Sequence, residues 1–129
     1  MNIEISFNVI VTKKLRESVD FYASLFGFEI VADVAWYVHL KHPNGAEIAF
    51  LEPEHPTQPP IYQREWSGTG LILSFQVSDA KAEYEKIKSR KIPIVFDYKQ
   101  EDWGQIHFGI LDPNGIPVDI VQQVHVNHE

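Results

Sequence analysis

From Ile3 to Val11 the chain is apolar and rich in β-branched residues (Ile5, Phe7, Val9, Ile10, Val11), which predicts a strand. At Leu15 the period changes. Leu15, Val19, Tyr22, Leu25 and Phe26 recur at helical spacing, and Gly27 supplies a C-terminal stop. Strands follow at Glu29–Ala32 and Trp36–Lys41, and the turn His42-Pro43-Asn44-Gly45 leads into a fourth strand, Glu47–Leu51. The order is β-α-β-β-β.

Residues 52–70 break the periodicity. Pro53, Pro56, Pro59 and Pro60 predict a stiff, extended linker, with Tyr62 and Trp66 pinned onto the body. After it the pattern returns. Leu71–Val77 reads as a strand, and Asp79 as the cap of a helix running to about Arg90. Ile94–Tyr98 and Ile106–Leu111 read as strands, Asp112-Pro113-Asn114-Gly115 as a turn and Pro117–Gln122 as the last strand. The tail from Val124 to Glu129 is polar and expected to fray.

The halves align by number. Pro43-Asn44-Gly45 recurs as Pro113-Asn114-Gly115, seventy positions on, whereas the strand-to-helix junctions at Lys14-Leu15 and Asp79-Ala80 lie sixty-five apart. About five extra residues are therefore expected in the second half, around Glu101–Gly104. An internal repeat outweighs any single strand assignment. The fold class is α+β: one domain built of module 1 (residues 3–51), a linker (52–70) and module 2 (71–123). One module alone would leave sheet edges open, so two are expected to pair, within a chain or by exchange between chains.

Composition narrows the function. With 11 basic and 18 acidic residues the net charge is −7, which opposes a polyphosphate, and nucleic acid is not expected as a partner. Lys86, Lys88, Arg90 and Lys91 read as a solvated helix end. No apolar run is long enough for a membrane span, and the first residues lack the pattern of a secretion signal, so a cytoplasmic protein is expected. The absence of cysteine removes disulfides and thiolate chemistry.

Val11 through Tyr22, with Leu25-Phe26-Gly27-Phe28, resembles the opening of a vicinal-oxygen-chelate module. Phe75-Gln76-Val77-Ser78-Asp79 resembles the start of that fold's second module. Trp103-Gly104, Phe108 and Asp112-Pro113-Asn114-Gly115 resemble its end, closest to the bleomycin-resistance and glyoxalase branch. The resemblance covers nearly all of residues 3–123. It implies two βαβββ modules forming a curled mixed sheet around a cavity, helices outside, in a homodimer. In metal-dependent members, the first and last strands of each module supply ligands to one divalent ion. Those positions fall here on Phe7, Ile72, Ala49 and Asp119, of which only Asp119 offers a lone pair. No metal, and no other cofactor, is expected.

The residues expected around a ligand are Phe7, Trp36, Tyr37, His39, Glu47, Ala49, Ile72, Trp103, His107 and Asp119. Phe50 and Phe75 alternate with cavity positions and are expected beneath the helices. Trp36, Tyr37, Tyr62, Trp66 and Trp103 fall at strand ends or in loops, where a cavity mouth would lie. His39 and His107 admit two readings: a displaced metal site or acid–base pair with Glu47 and Asp119, or strand histidines bonded to their neighbours. His42, His55, His125 and His128 read as loop or tail residues. A carboxylate at Asp119, poorly solvated in a hollow, would favour neutral or cationic guests.

Three functions fit this pattern. The first is a metal-free, bleomycin-resistance-like protein that binds a small planar or aromatic molecule, cationic ones included; no catalytic residue is assigned. The second is an enzyme on the same fold, a lyase, isomerase or thiol transferase with altered ligands or acid–base residues. The third is a regulatory module whose cavity Phe7 and Ile72 fill.

Overall fold

The computed structural model describes residues 1–124, so the expected tail lies, apart from Val124, outside the described residues. The chain divides into two compact units, residues 1–68 and residues 69 onward.

The first unit contains β1 (Phe7–Val11), α1 (Leu15–Phe26), β2 (Glu29–Asp33), β3 (Tyr37–Lys41) and β4 (Glu47–Leu51). The second contains β5 (Leu73–Gln76), α2 (Ala80–Ser89), β6 (Phe96–Glu101), β7 (Gln105–Leu111) and β8 (Pro117–Gln123). Each is a βαβββ module with a four-stranded mixed sheet, in the orders β1-β4-β3-β2 and β5-β8-β7-β6. In both, the first strand runs parallel to the last and the other pairs are antiparallel. No helix among the described residues is long and apolar enough to cross a membrane.

Strand alternation gives each sheet a covered and an open face. In module 1, Ile10, Val38, Leu40, Ile48 and Phe50 are buried, as are Leu15, Val19 and Tyr22 of α1. Tyr22 and Phe50 form the centre of that layer, with ring centroids 5.5 Å apart and no measurable exposure. In module 2, Phe108, Ile110, Val118 and Ile120 are buried, with Ala80 and Ile87 of α2. Full burial of each large side chain contributes about 1.5–3 kcal/mol.

Local chemistry closes the helices. Gly27, at φ 79°, sends its N–H back to the Ala23 carbonyl and ends α1 in the left-handed conformation glycine tolerates. Asp79 caps α2 by accepting from the Ala82 N–H at 3.0 Å. The Arg16 guanidinium makes a two-pronged bond to Asp33 at 2.8 and 3.0 Å, tying α1 to the end of β2.

Three expectations need correction. The first strand begins at Phe7 rather than Ile3, because its parallel partner β4 offers only five residues and leaves Ile3 and Ile5 exposed. The strand expected at 94–98 runs instead from Phe96 to Glu101, and the added length lies in the longer β6–β7 hairpin, where pairing continues to Glu101 and Gln105. Residues 52–68, expected as an extended linker without pattern, fold back on module 1. There Pro60–Tyr62 forms a 3-10 turn, the Glu54 N–H reaches the Gln63 carbonyl, and the Trp66 N–H bonds the Val11 carbonyl at 2.8 Å.

Phe50→Ala is expected to lower the unfolding free energy by about 3–5 kcal/mol in urea titrations, through lost burial and the cavity left against Tyr22. Phe75→Ala, at a half-exposed position, is expected to cost clearly less.

Candidate functional site

The open face of the first sheet follows from its register. Phe7 pairs with Glu47, Val9 with Ala49, His39 with Ala49 and Tyr37 with Leu51, so these side chains project away from α1. The folded-back segment completes a hollow here. Phe7, Val9, Val11 and Leu51 form its floor, Trp36 and Tyr37 one wall, and Gln58, Ile61 and Tyr62 the other, around a volume of about 710 Å³. His55 stacks on the Trp36 indole with centroids 3.8 Å apart and planes 16° from parallel. Phe7 is 44% exposed and Val9 41%, an apolar surface open to a guest.

From the wall of this hollow a polar chain runs along the sheet. The Tyr37 hydroxyl lies 2.9 Å from His39 Nδ1, and His39 Nε2 lies 2.6 Å from Glu47 Oε1. Burial, reinforced by the Glu47 charge, pushes the Tyr37 phenol above its ordinary value, so it stays protonated and donates to Nδ1. That fixes the neutral tautomer: Nε2 carries the proton and donates to the carboxylate. The His39 and Glu47 side chains are only 14% and 12% exposed, and the Phe7 ring meets the imidazole edge-on at 4.7 Å. The arrangement is carboxylate, imidazole, hydroxyl, with the hydroxyl-bearing residue at the cavity.

The open face of the second sheet carries a different cluster. His107 Nδ1 donates to both Asp119 oxygens at 2.9 and 3.0 Å. Its Nε2 is buried without a hydrogen bond, 3.6 Å from Glu101 Oε2. Glu101 in turn pairs with Lys99 at 2.7 Å. The bond from Lys99 holds the Glu101 carboxyl below its ordinary value, against the opposing effect of burial. Phe96 covers the His107 ring edge-on at 4.7 Å. Gly109 makes room for it, since a Cβ there would stand 3.2 Å from the Phe96 Cβ.

The ten positions expected around a ligand thus separate. Phe7, Trp36 and Tyr37 line the hollow; His39 and Glu47 are chained to Tyr37; Ala49 is covered on the same face. In the second unit His107 and Asp119 bond each other. Trp103 is 67% exposed with its indole N–H on Gln105, and Ile72 is 61% exposed just before β5. Sequence reasoning missed Val9, Val11, Leu51, Gln58 and Ile61 as lining. The first two were signalled by their spacing of two from Phe7; the last two, on an aperiodic segment, were not. It also missed Lys99 and Glu101, which reach His107 only through the β6–β7 pairing.

The sequence matches the model of the Glyoxalase/Bleomycin resistance protein/Dioxygenase superfamily over residues 5–120. The chain belongs to this superfamily. Solved structures agree in fold. A glyoxalase/bleomycin resistance protein/dioxygenase from Nocardioides superposes with a TM-score of 0.78 at 19% identity, covering 98% of this chain and 87% of that one. Lactoylglutathione lyase from Agrobacterium tumefaciens gives 0.75 at 19% identity, covering 95% and 96%. TioX from Micromonospora sp. ML1 gives 0.73 at 16%, covering 95% and 100%. At such identities the likeness speaks for the fold alone. No curated protein is significantly similar in sequence.

The metal positions implied by the resemblance do not fit a divalent ion in this member. Phe7, Ile72 and Ala49 have no donor atom, and both Asp119 oxygens accept from His107. Among the described residues no group of three or more His, Asp or Glu is arranged to hold one.

The Glu101 pair gives a signed pH dependence. Its carboxyl binds a proton more weakly in the folded chain than an ordinary, unpaired glutamate does. The pair's contribution is therefore present above the ordinary glutamate value and lost as pH falls through the depressed folded one. Lys99→Met is expected to flatten the acid limb of a urea-midpoint-against-pH curve; an unchanged limb would count against the pairing.

Proposed function

We propose that the chain binds a small planar, mainly apolar molecule, neutral or cationic, on the open face of its first module. The supporting observation is the hollow of about 710 Å³ with aromatic walls and an aliphatic floor. That size lies within the range of small-molecule sites, which are concave, mostly apolar and set with few polar groups. Trp36, against which His55 stacks, offers a ring face for stacking. The Glu47 carboxylate close by and the net charge of −7 oppose an anion. A cation stacked on an aromatic face gains about 0.5–2 kcal/mol. The superfamily's name joins glyoxalases, resistance proteins and dioxygenases, so membership is compatible with binding alone or with catalysis. The Tyr37–His39–Glu47 chain favours adding the second.

A curled mixed sheet around a cavity and a homodimer, on the strength of the resemblance, and a cytoplasmic location belong to the same proposal. Sedimentation of the untagged protein is expected to give twice 14.9 kDa; a monomer at tens of micromolar would remove the dimer.

Calorimetric titration with a panel of planar aromatic compounds is the direct test. Neutral and cationic members are expected to bind, and carboxylated analogues to bind at least several-fold more weakly. Val9→Glu, which puts a charge on the floor, is expected to abolish binding while leaving the α1 core intact. Binding unaffected by Val9→Glu would move the site elsewhere.

A further inference from the structure

We propose that Tyr37, His39 and Glu47 form a proton relay opening into the cavity, and that the molecule bound there is a planar weak acid from which the relay removes a proton. The inference rests on the cavity reading and adds a reaction to it. Three observations carry it. The three groups are in hydrogen-bond contact in the order phenol, imidazole, carboxylate, at 2.9 and 2.6 Å. The outermost lines the apolar hollow, while the inner two are almost covered. Phe7 serves both, lining the hollow and packing on the imidazole, so the inner pair is screened on the side where a guest would sit.

The chemistry follows from the bond order. With its proton directed at His39 Nδ1, the Tyr37 oxygen keeps lone pairs with which to accept from a guest in the hollow that Tyr37 lines. A guest with an acidic X–H gives its proton to that oxygen as the phenol proton passes to Nδ1, and the electron pair of the X–H bond stays on X. His39 becomes an imidazolium between the phenol and Glu47, whose charge at 2.6 Å compensates it. Return of the proton at another atom of the guest would complete an isomerisation. Expulsion of a leaving group would complete an elimination. The raised Tyr37 phenol suits this role, because the resting state keeps the proton that starts the relay. A histidine held only for packing would need neither a hydroxyl on Nδ1 nor that hydroxyl's residue at the cavity.

Nitrobenzisoxazole is a suitable probe: planar, neutral, and opened by a base. Loss of its ring C–H proton, with cleavage of the N–O bond, gives a coloured cyanonitrophenolate. The protein is expected to catalyse this with saturation. Tyr37→Phe should lower kcat by at least about tenfold, at the low end of what a positioned acid–base group contributes, with KM nearly unchanged. His39→Gln should do the same. Because a change at His39 also removes the partner of Glu47, Tyr37→Phe, which deletes one hydroxyl, is the deciding variant. Nitrogen-15 spectra should independently show His39 protonated on Nε2 and bare on Nδ1. Saturable turnover equal in wild type and Tyr37→Phe would overturn the relay and leave the cavity reading standing. Failure of the probe to saturate would overturn both.

Discussion

Register is the constraint on which everything else here depends, and two four-residue turns hold it. In His42–Gly45 the Gly45 N–H returns to the His42 carbonyl, and Asn44 Oδ1 accepts from the Ala46 N–H. In Asp112–Gly115 the Gly115 N–H returns to the Asp112 carbonyl, and Asp112 Oδ1 accepts from the N–H groups of Asn114 and Ile116. Both glycines have positive φ, 100° and 77°, where a side chain would be strained. A slip of one residue in the last strand of module 1 would turn Phe50 out of the core and Ala49 into it. The hollow and the α1 core are thus two consequences of one alignment.

That alignment makes the modules comparable position by position. Val9 pairs with Ala49 in the first sheet and Ser74 with Asp119 in the second, offsets of sixty-five and seventy, as the repeat requires. The same offset of seventy sets Tyr37 against His107 and His39 against Gly109. The two histidines are therefore not copies of one residue. Each module has placed an imidazole on its open face separately, at neighbouring positions, and each has a phenylalanine edge against it at 4.7 Å. What the repeat preserves is the face, and the chemistry on that face has diverged.

Much of this was legible in the chain. The resemblance put Phe7 on the open face, alternation from the family's ligand positions identified Phe50 as a core residue, and the paired Pro-Asn-Gly turns gave the module equivalence. Gly27 and Asp79 announced the helix end and the helix cap in which they are found. What escaped depends on contacts that periodicity does not encode. The stacking of His55 on Trp36 joins a proline-rich segment to a strand end, and no local pattern foretells it. The same holds for residues 58–62, whose role in the hollow comes from folding back on module 1. For Tyr37, His39 and Glu47 the signal was partial. A spacing of two puts Tyr37 and His39 on one face, but the reach of Glu47 across the turn needs the β3–β4 ladder.

The two histidines then differ in what their surroundings permit. His39 has both nitrogens engaged, one as acceptor and one as donor, so its neutral tautomer is dictated by its neighbours. His107 donates from Nδ1 to Asp119, which leaves Nε2 without a proton in the neutral ring, facing a carboxylate that also lacks one. Two acceptors cannot bond each other, and at 3.6 Å they do not. Adding a proton at Nε2 would convert this into a pair of charge-assisted contacts to Asp119 and Glu101. Lys99, already bonded to Glu101, partly compensates the carboxylate in the meantime. His39 is thus placed to pass a proton on, whereas His107 is held by Asp119 alone. The difference arises from the partners that register brings to each ring, not from the histidines themselves.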